Sequence, residues 1–226
     1  MPSRKINLIE GEYYHIYNRG NSKQKIFKDR NDYQRFLKLL YLSNSEQSFT
    51  IRDVGKEVYS FDRKKPLVGI GAYCLMPNHF HILITQLNDG GISKFMQKLT
   101  TGYSMYYNQK YKRTGTLFEG KFKSEYANKD NYLKYLFSYI HLNPIKLIDP
   151  KWKESGIKNK KTALGFLNTY LFSSYIDYLD FKRAESVILN NNAFPKYFPN
   201  KEDFEKEILD WINYKSTTEE RPLELI

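Results

Sequence analysis

A single cysteine, Cys74, stands in 226 residues, so neither a disulfide framework nor a cysteine-rich zinc site organises this chain. A reducing cytoplasm is the natural setting for such a sequence. No apolar run approaches the ~18 residues of a membrane span, and the opening MPSRKINLIEGEYYH lacks a hydrophobic core of signal-peptide length. The expectation is a cytoplasmic protein with no membrane partner. Acidic residues are also scarce, 25 Asp and Glu against 36 Lys and Arg, which leaves a net charge of +11. That balance suggests a polyanionic partner.

What is present is enough for a real core: 41% of the residues are hydrophobic, which excludes a disordered polymer. Aromatics are abundant, with 20 Tyr and 15 Phe, often beside Lys or Arg. Rings that stack on bases and cations that follow phosphates are the materials of a single-strand binder. For most individual rings, core packing is the simpler role.

Periodicity orders the chain. GEYYHIYNRGNS alternates and then meets a loop, which predicts a strand. DRNDYQRFLKLLYLSNS places Tyr33, Phe36, Leu37 and Leu40 at helical spacing behind an Asp29 or Asn31 cap. LVGIGAYCLM and NHFHILIT read as two strands joined across a Pro77–Asn78 turn. A second helix follows in GGISKFMQKLTTGYSMYYNQKYKR, with Ile92, Phe95, Met96, Leu99 and Tyr103 as its apolar stripe. TGTLFEGKFKSEYA is an extended segment around Gly120, and KDNYLKYLFSYIHLNP is a third helix, opened near Asp130 and stopped before Pro144. The order β-α-β-β-α-β-α predicts an α+β fold, a ferredoxin-like antiparallel sheet with helices packed on it. Residues 1–150 form the expected catalytic domain and 151–226 a small, mostly helical C-terminal extension. Within that extension, WKESGIKNKKTALGFLNTYLFSSYIDYLD reads as loop-rich. NKEDFEKEILDWINYK reads as a capped amphipathic helix using Phe204, Ile208, Trp211 and Ile212, and STTEERPLELI as a mobile end.

The chain has four histidines, His15, His79, His81 and His141, and two of them sit in CLMPNHFHILI with one large hydrophobe between. On a strand, His79 and His81 point to one face while Phe80 and Ile82 point to the other. Such a pair is a metal site or two structural histidines, and the motif alone leaves that open. On the third helix, Tyr132, Tyr135 and Tyr139 share a face at i, i+3 and i+7, with Asn143 one turn beyond Tyr139. A hydroxyl nucleophile and an amide oxygen thus project together, or the stripe is simply the helix's core side. Spacing does not decide between these.

Four ordered blocks carry a resemblance: YYHIYNRGNSKQKIF, YCLMPNHFHILI, GTLFEGKFKSEYA and YLKYLFSYIHLNPIK, with a weaker echo in LFSSYIDYL. Together they resemble the His-hydrophobe-His single-tyrosine transposases of the IS200-like group, especially their REP-associated tyrosine transposase relatives. The resemblance implies that His79 and His81 are metal ligands, Tyr139 the nucleophile and Asn143 the third ligand. Many insertion-sequence members have Gln at that third position, so Asn143 looks closer to the REP-associated branch. It further implies cleavage and rejoining of single-stranded, hairpin-forming DNA through a 5′-phosphotyrosine, with Mg²⁺ or Mn²⁺ as cofactor. Oligomeric state is left open between a homodimer and a monomer.

Arg19, Lys112, Arg113, Lys121 and Lys123 lie near the motif blocks and are the candidates for phosphate contacts. Two rival functions use the same residues differently. One is a nucleic-acid-binding regulator without transfer activity; the other is a metal-dependent hydrolytic nuclease in which Tyr139 only packs.

Overall fold

Alternation in YYHIYNR puts Tyr14 and Ile16 on one side and His15 and Tyr17 on the other, and this segment forms strand β1 (Tyr13–Arg19). The computed structural model describes residues 7–49, 54–55 and 57–213. Three more strands join β1: β2 (Val68–Met76), β3 (His79–Gln86) and β4 (Lys123–Tyr126). Their order is β2-β3-β1-β4, with every neighbouring pair antiparallel. Pro77 and Asn78 make the tight turn between β2 and β3, as the sequence predicts.

Three helices cover the sheet: α1 (Arg30–Leu42), α2 (Gly91–Lys110) and α3 (Asp130–Leu142). Asp29 caps α1 by accepting from the Asp32 amide, and the Asp32 carboxylate accepts from the Asp29 amide in return. On α2 the stripe Ile92, Phe95, Met96, Leu99 and Tyr103 is fully buried. Together α1 and α2 form one core with Tyr14, Ile16, Phe80, Ile82 and Ile84. Helix α3 packs on the opposite face, where Leu136, Phe137 and Ile140 meet Ala72, Cys74 and Leu83. The resulting β-α-β-β-α-β-α arrangement is the expected ferredoxin-like α+β fold.

Two local features depart from the sequence reading. The extended segment around Gly120 yields a strand of only four residues, because pairing with β1 runs from Tyr126 to Lys123 and then stops. At its other end, α3 passes directly into a 3-10 turn (Asn143–Leu147) that carries Pro144 in its first turn, where a missing N–H costs nothing. The chain therefore tightens at Pro144 rather than leaving helical geometry.

The region after residue 150 corrects a further expectation. What reads as loop contains α4 (Trp152–Ser155) and α5 (Lys160–Thr169), followed by α6 (Lys201–Asn213). Helix α5 is capped by the Asn159 side chain and buries only Ala163 and Leu167, a stripe too thin to stand out in the sequence. Helix α6 is capped by Asn200 and buries Phe204, Ile208 and Ile212. These residues form a third core with Leu142, Ile145 and Tyr175. The expected helix residues Tyr214 and Lys215, and the segment STTEERPLELI, lie outside the described residues.

Between α5 and α6 the chain docks on the outer edge of β2. Leu75 donates its amide to Phe172 O at 2.9 Å, and Ser174 donates its amide to Tyr73 O at 3.0 Å. Arg183 fixes the return, since its guanidinium pairs with the buried Asp177 carboxylate at 2.6 Å and donates to Tyr73 Oη at 2.9 Å. Further along, Phe194 lies against the backbone of Gly71, the unpaired residue of a β-bulge between Ile70 and Ala72. A side chain at Gly71 would collide with that ring.

Candidate active site

Strand register decides which side chains share the face beneath α3. His79 stands opposite Arg19, His81 opposite Tyr17, and His15, two residues before Tyr17 on β1, opposite Leu83. Glu125 on β4 stands opposite His15. Phe80, between the two histidines, faces the other core, 5.0 Å from the Phe36 ring. The alternation predicted for His79 and His81 is thus observed, with the ring centroids 5.0 Å apart.

Each imidazole has one nitrogen held. Asn78 Oδ1 lies 2.7 Å from Nδ1 of His79. A carboxamide oxygen accepts, so that Nδ1 carries the proton and Nε2 keeps its lone pair. His81 Nδ1 is 2.8 Å from Nε2 of His15, and the two rings stack at 5.0 Å. Burial, with help from Lys146, Lys153 and Arg19, pushes His79 down to about 4. Burial likewise drives His81 well below its ordinary value, aided by His79 and His15, and lowers His15 to about 3. All three rings are therefore neutral at pH 7, the protonation state in which an imidazole can bind a cation.

The tyrosine stripe of α3 separates into three environments. Tyr132 donates to Glu125 Oε2 at 3.3 Å, beside Tyr17, which donates to Oε1 at 2.8 Å. Tyr135 turns toward α6, with its ring 4.7 Å from Trp211. Tyr139 is the one of the three whose ring meets the histidines, edge-on to His81 at 5.8 Å and to His15 at 5.9 Å. Burial raises the Tyr139 phenol above its usual value, with Tyr135 adding to the rise and the Asn143 amide opposing it. Tyr126 lies apart on β4, donating to Glu12 at 2.8 Å.

Asn143 follows α3 directly and donates its amide nitrogen to Tyr139 O at 2.8 Å. The carbonyl oxygen is then the lone-pair atom its side chain has to offer a cation. Among the described residues, no group of three or more His, Cys, Asp or Glu converges to hold a metal ion. The donors these residues could offer are two neutral imidazoles, His79 through Nε2 and His81 through Nε2 when its Nδ1 donates to His15, plus the Asn143 amide oxygen. Such a set is chemically suited to a divalent ion that retains positions for phosphate and water.

The candidate phosphate contacts fall into two groups. Lys121 and Lys123 are exposed on and beside β4, with Lys123 Nζ 5.9 Å from the Tyr17 ring. Arg19 lies on the histidine face, but Glu119 holds its guanidinium in a bidentate pair. Lys112 and Arg113 lie past the end of α2, where Arg113 meets Tyr107 and Thr116 O. They are not brought to the histidine face.

Three participants escape the sequence reading. His15 is buried against His81, and Glu125 orders two tyrosine hydroxyls. Lys153 of α4 donates to Tyr139 Oη at 3.1 Å. His15 carried a signal, a histidine at an alternating strand position that faces the same side as the His-x-His pair. Lys153 carried none, because its approach depends on how the chain turns after Pro144.

No curated protein sequence matches the chain. Among solved structures, it is similar to a REP-associated tyrosine transposase bound to a REP hairpin. The TM-score is 0.52 and the identity 13%, over 82% of this chain and 90% of that one. At that identity the likeness concerns the fold. The family model described as "Transposase IS200 like" matches residues 9–143, more than half of the sequence, and it spans β1, the histidine strand, Tyr139 and Asn143. The chain belongs to the IS200-like transposase family.

Proposed function

We propose that this transposase cleaves and rejoins single-stranded DNA through a covalent bond to Tyr139. The observation that carries the reading is the position of the Tyr139 ring against His81 and His15, with Asn143 tied to the same turn of helix. In the forward step the Tyr139 oxygen bonds to a DNA phosphorus and the bond from phosphorus to the 3′ oxygen breaks. The phenol gives up its proton and the departing 3′ oxygen gains one. The product is a 5′-phosphotyrosine and a free 3′ hydroxyl, and reversal by another 3′ hydroxyl joins strands without ATP.

His79, His81 and Asn143 would hold Mg²⁺ or Mn²⁺. When bound, the ion supplies charge stabilisation at the phosphate. The chain's own residues do the positioning. His15 and Asn78 orient the two imidazoles, Asn143 is fixed by its bond to the Tyr139 carbonyl, and His81 is buried while His79 is only partly so.

DNA is the partner supported by the family, by the net charge of +11 and by the hairpin held in the similar solved structure. We place the strand along Lys121 and Lys123, which are exposed at the side of the histidine face. Arg19 contributes after release from Glu119.

The test is incubation of the chain with 5′- and 3′-labelled hairpin DNA from the region flanking its gene, plus Mg²⁺ or Mn²⁺. Products are resolved on a denaturing protein gel for wild type and Tyr139→Phe. The expected result is a labelled adduct in wild type and none in the variant, with DNA binding retained. Released fragments without an adduct would support a hydrolytic nuclease instead. Binding without cleavage would support a regulator.

A further inference from the structure

A residue that touches the Tyr139 hydroxyl comes from beyond the family-matched segment, which ends at residue 143. Lys153 Nζ donates to Tyr139 Oη at 3.1 Å and lies 4.3 Å from the centroid of the same ring. Its approach is built rather than incidental. Asp149 donates its amide to Ile145 O at 2.8 Å and accepts from the Trp152 amide at 3.2 Å, so α4 is tied to the turn that carries Pro144. Trp152 packs against the third core next to Lys153, and its ring lies 5.8 Å from the ammonium. The ammonium thus lies within cation–π distance of two rings.

A cation on a buried phenol oxygen matters most when that oxygen carries negative charge. This happens twice in strand transfer, as the bond to phosphorus forms and again as it breaks.

Building on the reading of Tyr139 as nucleophile, we propose that Lys153 is a further catalytic residue: its ammonium holds Tyr139 Oη in place and counters the charge on that oxygen in both directions of transfer. Lys153 acts by position and charge. The lysine also gives the region beyond residue 143 a chemical role, since without α4 the nucleophile would lose a cation hydrogen-bonded to its oxygen.

The experiment measures single-turnover adduct formation, DNA affinity and thermal stability for wild type, K153M and K153R on the labelled hairpin pool. K153M is expected to slow adduct formation by about 100-fold, the scale of losing one donor to a reacting oxygen, with DNA affinity retained. K153R keeps the charge and is expected to recover most of the rate. Resolution of a preformed adduct by an added 3′-hydroxyl strand should slow in parallel. If K153M does not fold, K153Q, which is neutral and polar, takes its place. Wild-type rates in K153M, a loss explained wholly by weaker DNA binding, or no recovery in K153R would each overturn the role of Lys153 while leaving Tyr139 as nucleophile. Absence of any Tyr139 adduct in wild type would remove the nucleophile and the lysine's role together.

Discussion

His15 places its Nε2 2.8 Å from Nδ1 of His81, across 66 residues of sequence, and stacks its ring on the same partner. The bond has two tautomeric forms. If His81 donates, its Nε2 is bare and can bind a cation, and His15 is left with a proton on Nδ1. If His15 donates, the His81 Nε2 carries the proton and is closed to a metal. No partner meets His15 Nδ1 among the described residues. The bond therefore couples the two tautomers, and a cation on His81 Nε2 requires His81 to donate and His15 to carry its proton on Nδ1, a coupling of the kind that outer hydrogen-bonded groups make at metal sites.

Replacing His15 with Leu should weaken Mn²⁺ binding by about 10- to 100-fold. His15→Gln retains an acceptor and should lose less. Electron paramagnetic resonance titration of Mn²⁺ without DNA reads this directly. Equal affinity in wild type and His15→Leu would show that the His81 tautomer is set by other means.

Gly71 should not tolerate a side chain. A Cβ there would lie 2.9 Å from Phe194 Cζ and 3.0 Å from both Cε atoms, and that ring is itself packed against Tyr13 and Phe137. Gly71→Ala is expected to cost about 1–3 kcal/mol by overpacking. In a Phe194→Leu background the cost should shrink, because the obstructing atoms are gone. Chemical denaturation of the four proteins in this cycle gives the coupling, and strict additivity would place the strain elsewhere.

His141 should make stability fall with acid in a defined window. It is completely buried, its Nε2 is 2.7 Å from Ser174 Oγ, and burial lowers it to about 3. Unfolded, it takes up a proton near pH 6.5. The unfolded state therefore binds the extra proton between about 6.5 and 3, so this contribution to stability is fully present above 6.5 and declines as pH falls through that range. The slope is about 1.4 kcal/mol per pH unit for one histidine. Denaturation midpoints at pH 7, 6, 5 and 4.5 for wild type and His141→Gln should differ in slope by that amount. Identical slopes would mean that His141 protonates inside the fold.

Much of the architecture could be read from periodicity. The alternation in β1 and β3, the stripe on α2 and the turn at Pro77–Asn78 are local, and each is found where the sequence put it. His79 and His81 were legible for the same reason, because a strand's period of two places both on one face. Helix α5 was not, since Gly165 and a stripe of only Ala163 and Leu167 give a weak helical signal that packing against the third core completes. Nor did Gly69 and Gly71 announce their purpose, which depends on Ala193 and Phe194 arriving from far along the chain. At the site, spacing offered three equivalent tyrosines on α3. Their partners separate them: Glu125 takes Tyr132, Trp211 takes Tyr135, and the histidines receive Tyr139. Those partners lie on β4, α6 and the two central strands, so helix spacing alone does not order the three.

The docking of Phe172–Ser174 along β2 also bears on how molecules of this chain meet one another. A sheet can be extended by a foreign strand wherever its outer backbone groups are free. Strand β2 is nine residues long, buried throughout and apolar, the kind of margin that templates aggregation when bare. The returning chain occupies its Tyr73 carbonyl and Leu75 amide, so that margin is closed from within the same molecule. The opposite margin, β4, is four residues long and begins at the exposed Lys123. It offers a short, charged ledge that discourages stacking. A truncated chain ending before Phe172 would expose the longer, greasier margin, and its first symptom would be insolubility rather than loss of chemistry.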